Sequence, residues 1–137
     1  MLEVTREMIV AADPREVWSL TGNFGAIAEW HPACAASSQE TVGDSIQRTI
    51  TVGDGARLIE KLESRDDANM TLSYSIIDGP LPVKNYLSTY KVEKHHDGSK
   101  ITWSGRFDGK DATDERAKQV IAGIYTTGLD ALKKRFG

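Results

Sequence analysis

The chain has 137 residues, 39% of them apolar and 27% charged, with a net charge of −3, which fits a single domain of ordinary globular composition. The acidic balance argues against nucleic acid as a partner, because phosphate binding rests on a basic surface. No stretch approaches the roughly 18 uninterrupted apolar residues of a membrane span, and the single cysteine, Cys34, excludes an internal disulfide and a thiolate metal cluster.

The opening residues are charged and lack a secretory pattern, so a cytoplasmic location is the default expectation. Residues 2–11 alternate in polarity and read as a strand. Asp13-Pro14-Arg15-Glu16 then starts a short helix, with Asp13 as cap, Pro14 at the first helical position and Glu16 completing a capping box. Gly22-Asn23 breaks it, residues 24–29 form a second short helix, and Pro32 stops that one. Strands follow at about 33–41, 46–52, 56–65, 69–77, 84–94 and 99–108. Most are separated by turn formers: Gly43-Asp44, Gly53-Asp54-Gly55, Asp66-Asp67 and His96-Asp97-Gly98. The proline-rich stretch 78–82 is expected to be a stiff loop at one mouth of the sheet. Asp111 or Thr113 caps a last helix that runs to about Arg135. Its apolar face carries Ala117, Val120, Ile121, Ile124, Gly128, Leu129, Leu132 and Phe136 at helical spacing. Gly123 and Gly128 interrupt it, either for close packing or to leave room for a ligand. Lys133-Lys134-Arg135 in its last turn complements the helix dipole. The order of elements points to an α+β fold: a curved antiparallel sheet of seven strands around a long C-terminal helix, in one domain spanning 1–137.

Turn positions give a register. A turn centred on Asp54 sets Arg48 opposite Glu60, and one near Asp67 sets Tyr74 opposite Glu60. Across the 95–99 turn, Tyr90 faces Trp103 and Tyr86 faces Phe107. One concave surface then holds Arg48, Glu60, Tyr74, Tyr86, Ser88, Tyr90 and Trp103 among aliphatic residues. Buried charges are costly, so Arg48 and Glu60 are either a polar anchor for a ligand or a structural ion pair. Trp103 and Phe107 are core or ligand platform.

Glu60 is the best acid/base candidate, since burial raises a carboxyl pKa while Arg48 would lower it. His31, in Glu29-Trp30-His31-Pro32, could reach the pocket as a base or donor, or cap the helix end. No nucleophile elbow, phosphate loop or three-ligand metal spacing is present, and His95-His96 reads as solvated. No metal and no cofactor is expected.

Val17-Trp18, Trp30-His31-Pro32, Glu60-Lys61-Leu62, Tyr74-Ser75-Ile76, Gly79-Pro80-Leu81-Pro82-Val83, Asn85-Tyr86, Trp103 and Gly128-Leu129 occur in this order along nearly the whole chain. Together they resemble the START/Bet v 1-like (SRPBCC) superfamily, the helix-grip fold, and within it the polyketide cyclase/dehydrase-like group and its MxaD-like branch. The resemblance implies a cavity between sheet and long helix for a hydrophobic or amphipathic small molecule. The stretch 79–86 is also similar to the segment bordering the pocket of plant abscisic acid receptors, although Leu81-Pro82-Val83 replaces that group's His-Arg-Leu latch. The expected contacts are Arg48, Glu60, Tyr74, Tyr86, Tyr90, Trp103, His31, Leu81 and Ile124. Three functions follow: a carrier or sensor of a small apolar ligand; a cyclase or dehydratase using Glu60 or His31; or a protein-docking module with a closed cavity. A homo-oligomer is compatible with each.

Overall fold

Alternating strand and turn signals become one seven-stranded antiparallel sheet in the structure, a computed structural model that describes residues 1–137. The strands are β1 (Leu2–Val10), β2 (Cys34–Val42), β3 (Ser45–Val52), β4 (Arg57–Asp66), β5 (Thr71–Asp78), β6 (Val83–His95) and β7 (Gly98–Gly109). Their spatial order is β1-β7-β6-β5-β4-β3-β2. Strands β2 to β7 are therefore a run of hairpins, and β1 extends the sheet by pairing with the last strand. Helix α1 (Pro14–Thr21) and a 3-10 helix (Phe24–Glu29) carry the chain from one edge strand to the other. Helix α2 (Asp114–Phe136) lies in the curve of the sheet, chiefly against β1 and β7. This is the helix-grip arrangement expected. No helix is long and apolar enough to cross a membrane.

Local chemistry differs from expectation at the start of α1, whereas at α2 one of the two expected caps forms. Pro14 does occupy the first turn of α1, but the Asp13 side chain makes no capping bond. Its carboxylate lies 3.8 Å from Lys94 Nζ instead, while its carbonyl accepts from the backbone of Glu16 and Val17. The capping box does not form. At α2 the cap is Thr113, whose Oγ1 accepts from the Arg116 N–H at 3.1 Å. Asp111 takes a left-handed backbone (φ 54) in the turn before it.

The buried face of α2 carries Ala117, Ile121, Tyr125, Gly128, Leu129 and Leu132. Val120, Ile124 and Phe136 sit on its flanks, half-buried. The basic last turn fastens the helix end to its neighbours. Lys133 Nζ donates to the Ile9 carbonyl at 3.0 Å, and Arg135 donates to the Glu29 carbonyl at 2.9 Å.

Gly128 is where α2 comes closest to the interior. A Cβ there would stand 2.7 Å from His31 Cδ2 and 2.8 Å from Trp103 Cζ3, whereas one at Gly123 would meet nothing within 4 Å. Close packing therefore explains Gly128, and neither reading explains Gly123. Urea denaturation separates them. Gly128→Ala should destabilise by about 1–3 kcal/mol through overpacking, and Gly123→Ala should stabilise by up to about 1 kcal/mol through helix propensity.

Candidate functional site

The hairpin β3–β4 pairs Arg48 with Glu60, and β6–β7 pairs Tyr90 with Trp103, both in the expected register. The β4–β5 pairing differs. Tyr74 lies opposite Leu62, and Glu60 opposite Ile76. The turn is centred beyond Asp67, Met70 adopts a left-handed φ of 47, and the ladder is bulged between Leu62 and Ser64. The net displacement is two residues, which preserves the face, so Tyr74 still points inward. In β6 the register breaks between Lys84 and Leu87. Asn85 there has φ 54, and its amide donates to Asp108 at 3.0 Å. This bulge brings Tyr86 beside Phe107, with ring centroids 5.9 Å apart, in place of a direct pair.

Arg48 and Glu60 are 5% and 4% exposed. Arg48 Nε donates to Glu60 Oε1 at 2.7 Å, and Nη2 lies 2.7 Å from the same oxygen. Nη1 donates to the Phe24 carbonyl at 3.0 Å. The guanidinium carbon sits 4.0 Å from the Phe24 ring centroid and 4.7 Å from that of Tyr74. Burial raises the Glu60 carboxyl above its usual range, and the charge and hydrogen bond of Arg48 pull it back. Arg48 cannot shed its proton, so losing the carboxylate charge would leave a buried lone cation. Glu60 Oε2 takes no hydrogen bond from the protein. The one sealed side-chain polar atom without a partner is Trp30 Nε1, so Glu60 Oε2 opens onto the interior space.

A second polar network lies beside that space; Tyr74, Tyr86 and Trp103 of it border the space, whereas Ser88 and Tyr125 sit behind them. Ser88 Oγ donates to the Ser104 carbonyl at 2.9 Å, so it must accept from the Tyr125 hydroxyl at 2.8 Å and from Trp103 Nε1 at 3.1 Å. Tyr125 then accepts from the Tyr86 hydroxyl at 2.5 Å. Trp103 Nε1 also donates to Tyr74 at 3.0 Å, and the Tyr74 hydroxyl interacts with Ser88 and Tyr86 as well, so it belongs to the same network. Burial pushes the Tyr74 phenol up to about 12, so it stays protonated. Tyr125 was absent from the expected site. Its signal was its spacing: Ile121, Tyr125 and Leu129 recur every four residues, and the ring stacks on Trp103 at 4.6 Å between centroids.

His31 is a structural bridge. The Ala33 N–H donates to Nδ1 at 3.1 Å, so the proton is on Nε2, which donates to the Ile124 carbonyl in α2 at 2.8 Å. Burial lowers its pKa, the Ile124 bond opposes that, and Arg48 adds to the lowering. Both ring nitrogens are engaged, so neither serves as a free base. Cys34 is half-buried, and burial raises its thiol to about 11, which keeps it protonated.

These groups enclose a cavity of about 60 Å³. Arg48, Glu60, Tyr74, Tyr86 and Trp103 border it, as do His31, Leu81 and Ile124. Tyr90 does not; its hydroxyl donates to Thr21 Oγ1 at 2.6 Å, on the far side of Trp103. Phe107 belongs to the core and not to the cavity wall. Eleven of the fourteen lining residues are hydrophobic. The volume is well below the roughly 300–1,000 Å³ of a drug-sized pocket, so the open chamber anticipated from the sequence is narrower than expected. Larger depressions exist, of about 490 Å³ beside α1 and 750 Å³ between β1 and α2. They are open grooves in which four and three of ten lining residues are hydrophobic, and in the first Arg65 is committed to Asp67 at 2.8 Å. Contrary to the spacing argument, three metal-capable donors do meet, at His95, His96 and Asp97 on the exposed β6–β7 turn. His95 Nδ1 there already accepts the Asp97 N–H at 3.1 Å.

Two measurements follow. Arg48→Met should cost about 3–5 kcal/mol by leaving Glu60 buried and unpaired, and Arg48→Met with Glu60→Leu should recover most of that loss; a double-mutant cycle in denaturant reads the coupling. For His31 the folded pKa lies below the ordinary 6.5. Its contribution is therefore complete above pH 6.5 and is lost as pH falls toward the folded value. Stability should decline on acidification from pH 7 to 5, by at most about 1.4 kcal/mol per pH unit for one proton, and His31→Gln should flatten that slope.

Comparison with known proteins places the chain. It is 36% identical to the XoxI protein of Bacillus cereus, with a TM-score of 0.94 and coverage of 99% of this chain and 96% of that one. A Thermobifida fusca protein is 30% identical, with a TM-score of 0.85 and coverage of 100% and 94%. The Zhui aromatase/cyclase of Streptomyces sp. R1128 shares the fold at 14% identity, with a TM-score of 0.79 and coverage of 98% and 92%. MLP-like protein 423 of Arabidopsis thaliana is 37% identical over 67 residues, which cover 44% of this chain and 43% of the plant protein. Residues 1–137 match the family described as polyketide cyclase/dehydrase and lipid transport, and the chain belongs to that family.

Proposed function

We propose that the protein binds a small, largely apolar molecule in the cavity between sheet and α2, as a carrier or sensor. The observation that carries this reading is a mostly hydrophobic space bordered by the Arg48–Glu60 pair and the Tyr74 and Tyr86 phenols, with Glu60 Oε2 taking no hydrogen bond from the protein. A few convergent polar groups in an apolar wall are the usual makeup of a small-molecule site. The volume of about 60 Å³ admits only a small group as it stands. A longer ligand would leave through the rim, where Ala33 is exposed and Leu81, Val52 and Ile124 are half-exposed.

The cyclase or dehydratase alternative draws on the raised carboxyl of Glu60. It is the weaker reading, because Arg48 is bonded to that carboxylate and His31 has both nitrogens engaged. The docking-module alternative requires a closed interior and no ligand. The family description covers both cyclisation and lipid transport, so it supports a cavity function without choosing between them.

Native mass spectrometry of gently purified protein tests the proposal. A small-molecule adduct should accompany the wild type and disappear in Ala33→Phe, which plugs the rim. A bare mass, together with a melting temperature indifferent to a library of small apolar compounds, would count decisively against it.

A further inference from the structure

We infer that the β6–β7 turn binds a divalent transition-metal ion of the zinc, nickel or copper type, held by the imidazoles of His95 and His96 and the carboxylate of Asp97. The site is independent of the cavity and of the ligand proposed for it.

Convergence of the donors comes first. One donor atom from each of the three residues lies within 4.8 Å of the other two. Asp97 Oδ2 is 3.3 Å from His96 Nε2 and 3.8 Å from His95 Nδ1. Donors held about 2.0–2.2 Å from one ion lie at most about 4.4 Å apart, so both carboxylate–imidazole separations already fit. A small swing of His96, which projects into solvent, closes the third. Neighbouring residues of a strand point to opposite faces, but the ladder ends at the His95–Gly98 pair and the chain turns at His96. The two rings therefore stand side by side, with centroids 4.2 Å apart.

The turn is held in this shape by its neighbours. Gly98 has φ 136 and packs on the end of β1, where a Cβ would stand 2.4 Å from the Val10 carbonyl oxygen. Ser99 Oγ donates to the Ala12 carbonyl at 2.6 Å. The Asp97 N–H donates to His95 Nδ1 at 3.1 Å, which places the proton of the neutral ring on Nε2 and leaves Nδ1 unprotonated. Nδ1 is the nitrogen that faces the carboxylate, so the tautomer an ion needs is already present. On binding, that exposed N–H turns to water.

Charge points the same way. The two lysines flanking the turn lie against other carboxylates, Lys94 at 3.8 Å from Asp13 and Lys100 at 3.6 Å from Glu7. Asp97 has only the two imidazoles beside its carboxylate. Two imidazoles with one carboxylate suit zinc, nickel or copper, whereas magnesium and calcium take oxygen donors. Three protein donors leave at least one position of the ion to water.

Titration of the untagged full chain with zinc chloride, followed by proton–nitrogen correlation spectra, tests the site. One saturable event should shift the resonances of the 95–98 turn and spare those of His31 and Cys34, the remaining imidazole and the thiol. Magnesium chloride at the same concentrations should shift nothing in the turn. His96→Gln and Asp97→Asn, both at exposed positions, should each weaken zinc binding by at least about 10-fold, the lower end of what even an outer-shell partner of a ligand contributes. The same spectra verify that both variants are folded. Unchanged zinc affinity in Asp97→Asn would overturn the three-donor site by showing that imidazole alone holds the ion. So would shifts centred on His31 or Cys34, magnesium binding as tightly as zinc, or a turn that zinc does not saturate.

Discussion

A guanidinium that cannot be neutralised is buried on the inner face of this sheet, on the strand next to its β2 edge, and much of the interior is arranged to accommodate it. Removing such a group from water costs several kcal/mol unless it is fully paired. Arg48 is satisfied by three separate parts of the chain. β4 supplies the Glu60 carboxylate, the 3-10 helix supplies the Phe24 carbonyl, and Phe24 and Tyr74 supply ring faces on which the cation rests. One side chain thus ties three strands to the segment that bridges the two edges of the sheet. Because that segment leads directly into Trp30 and His31, the same constraint also sets the wall of the cavity on that side.

The other wall is set by α2. Tyr125 brings a hydroxyl into the sheet interior, where it completes a chain through Tyr86, Ser88 and the Ser104 carbonyl. Buried hydroxyls stabilise only when bonded, so this chain fixes the axial position of the helix as well as its rotation. Two glycines make the approach possible. A Cβ at Gly105 would stand 2.3 Å from the Tyr125 oxygen, and Gly128 leaves space for His31 and Trp103. His31 then links the helix carbonyl of Ile124 to the loop before β2. The cavity is what remains between a helix held this closely and a sheet lined with large rings, which accounts for its small volume.

Much of this was legible from local chemistry. Gly53-Asp54-Gly55 is a symmetric turn signal, and equal counting on either side of Asp54 pairs Arg48 with Glu60 correctly. The His96-Asp97-Gly98 turn does the same for Tyr90 and Trp103. A turn centred beyond Asp67 defeated this counting at Tyr74, with a bulge in β4 taking back one residue of the offset, and a bulge alone defeated it at Tyr86, because an inserted residue leaves no mark in a pattern of alternating polarity. The polarity pattern nonetheless assigned both side chains to the correct face. Tyr125 escaped a helix stripe read from aliphatic residues, although its four-residue spacing from Ile121 and Leu129 was visible. The Asp13 cap failed for another reason: capping depends on a side-chain rotamer, and Lys94 from β6 offers the carboxylate a competing partner. Cavity volume was least legible, since it depends on how Tyr74, Tyr86, Trp103 and Tyr125 settle against one another.

A chamber this small and this aromatic has little means of telling one apolar body from another. One methylene more or less changes binding by about 1–3 kcal/mol, whereas a site built to hydrogen-bond its ligand penalises an analogue that leaves its polar groups unpaired far more strongly. Under the proposed function, discrimination between ligands therefore falls to the polar wall residues, Glu60 above all, whose Oε2 takes no hydrogen bond from the protein. Arg48 has a part in this that does not require touching the ligand. By holding Glu60 through Oε1 alone, it keeps the carboxylate oriented while leaving Oε2 available. The ion pair is a structural tie, and under the proposed function the same geometry would shape the acceptor.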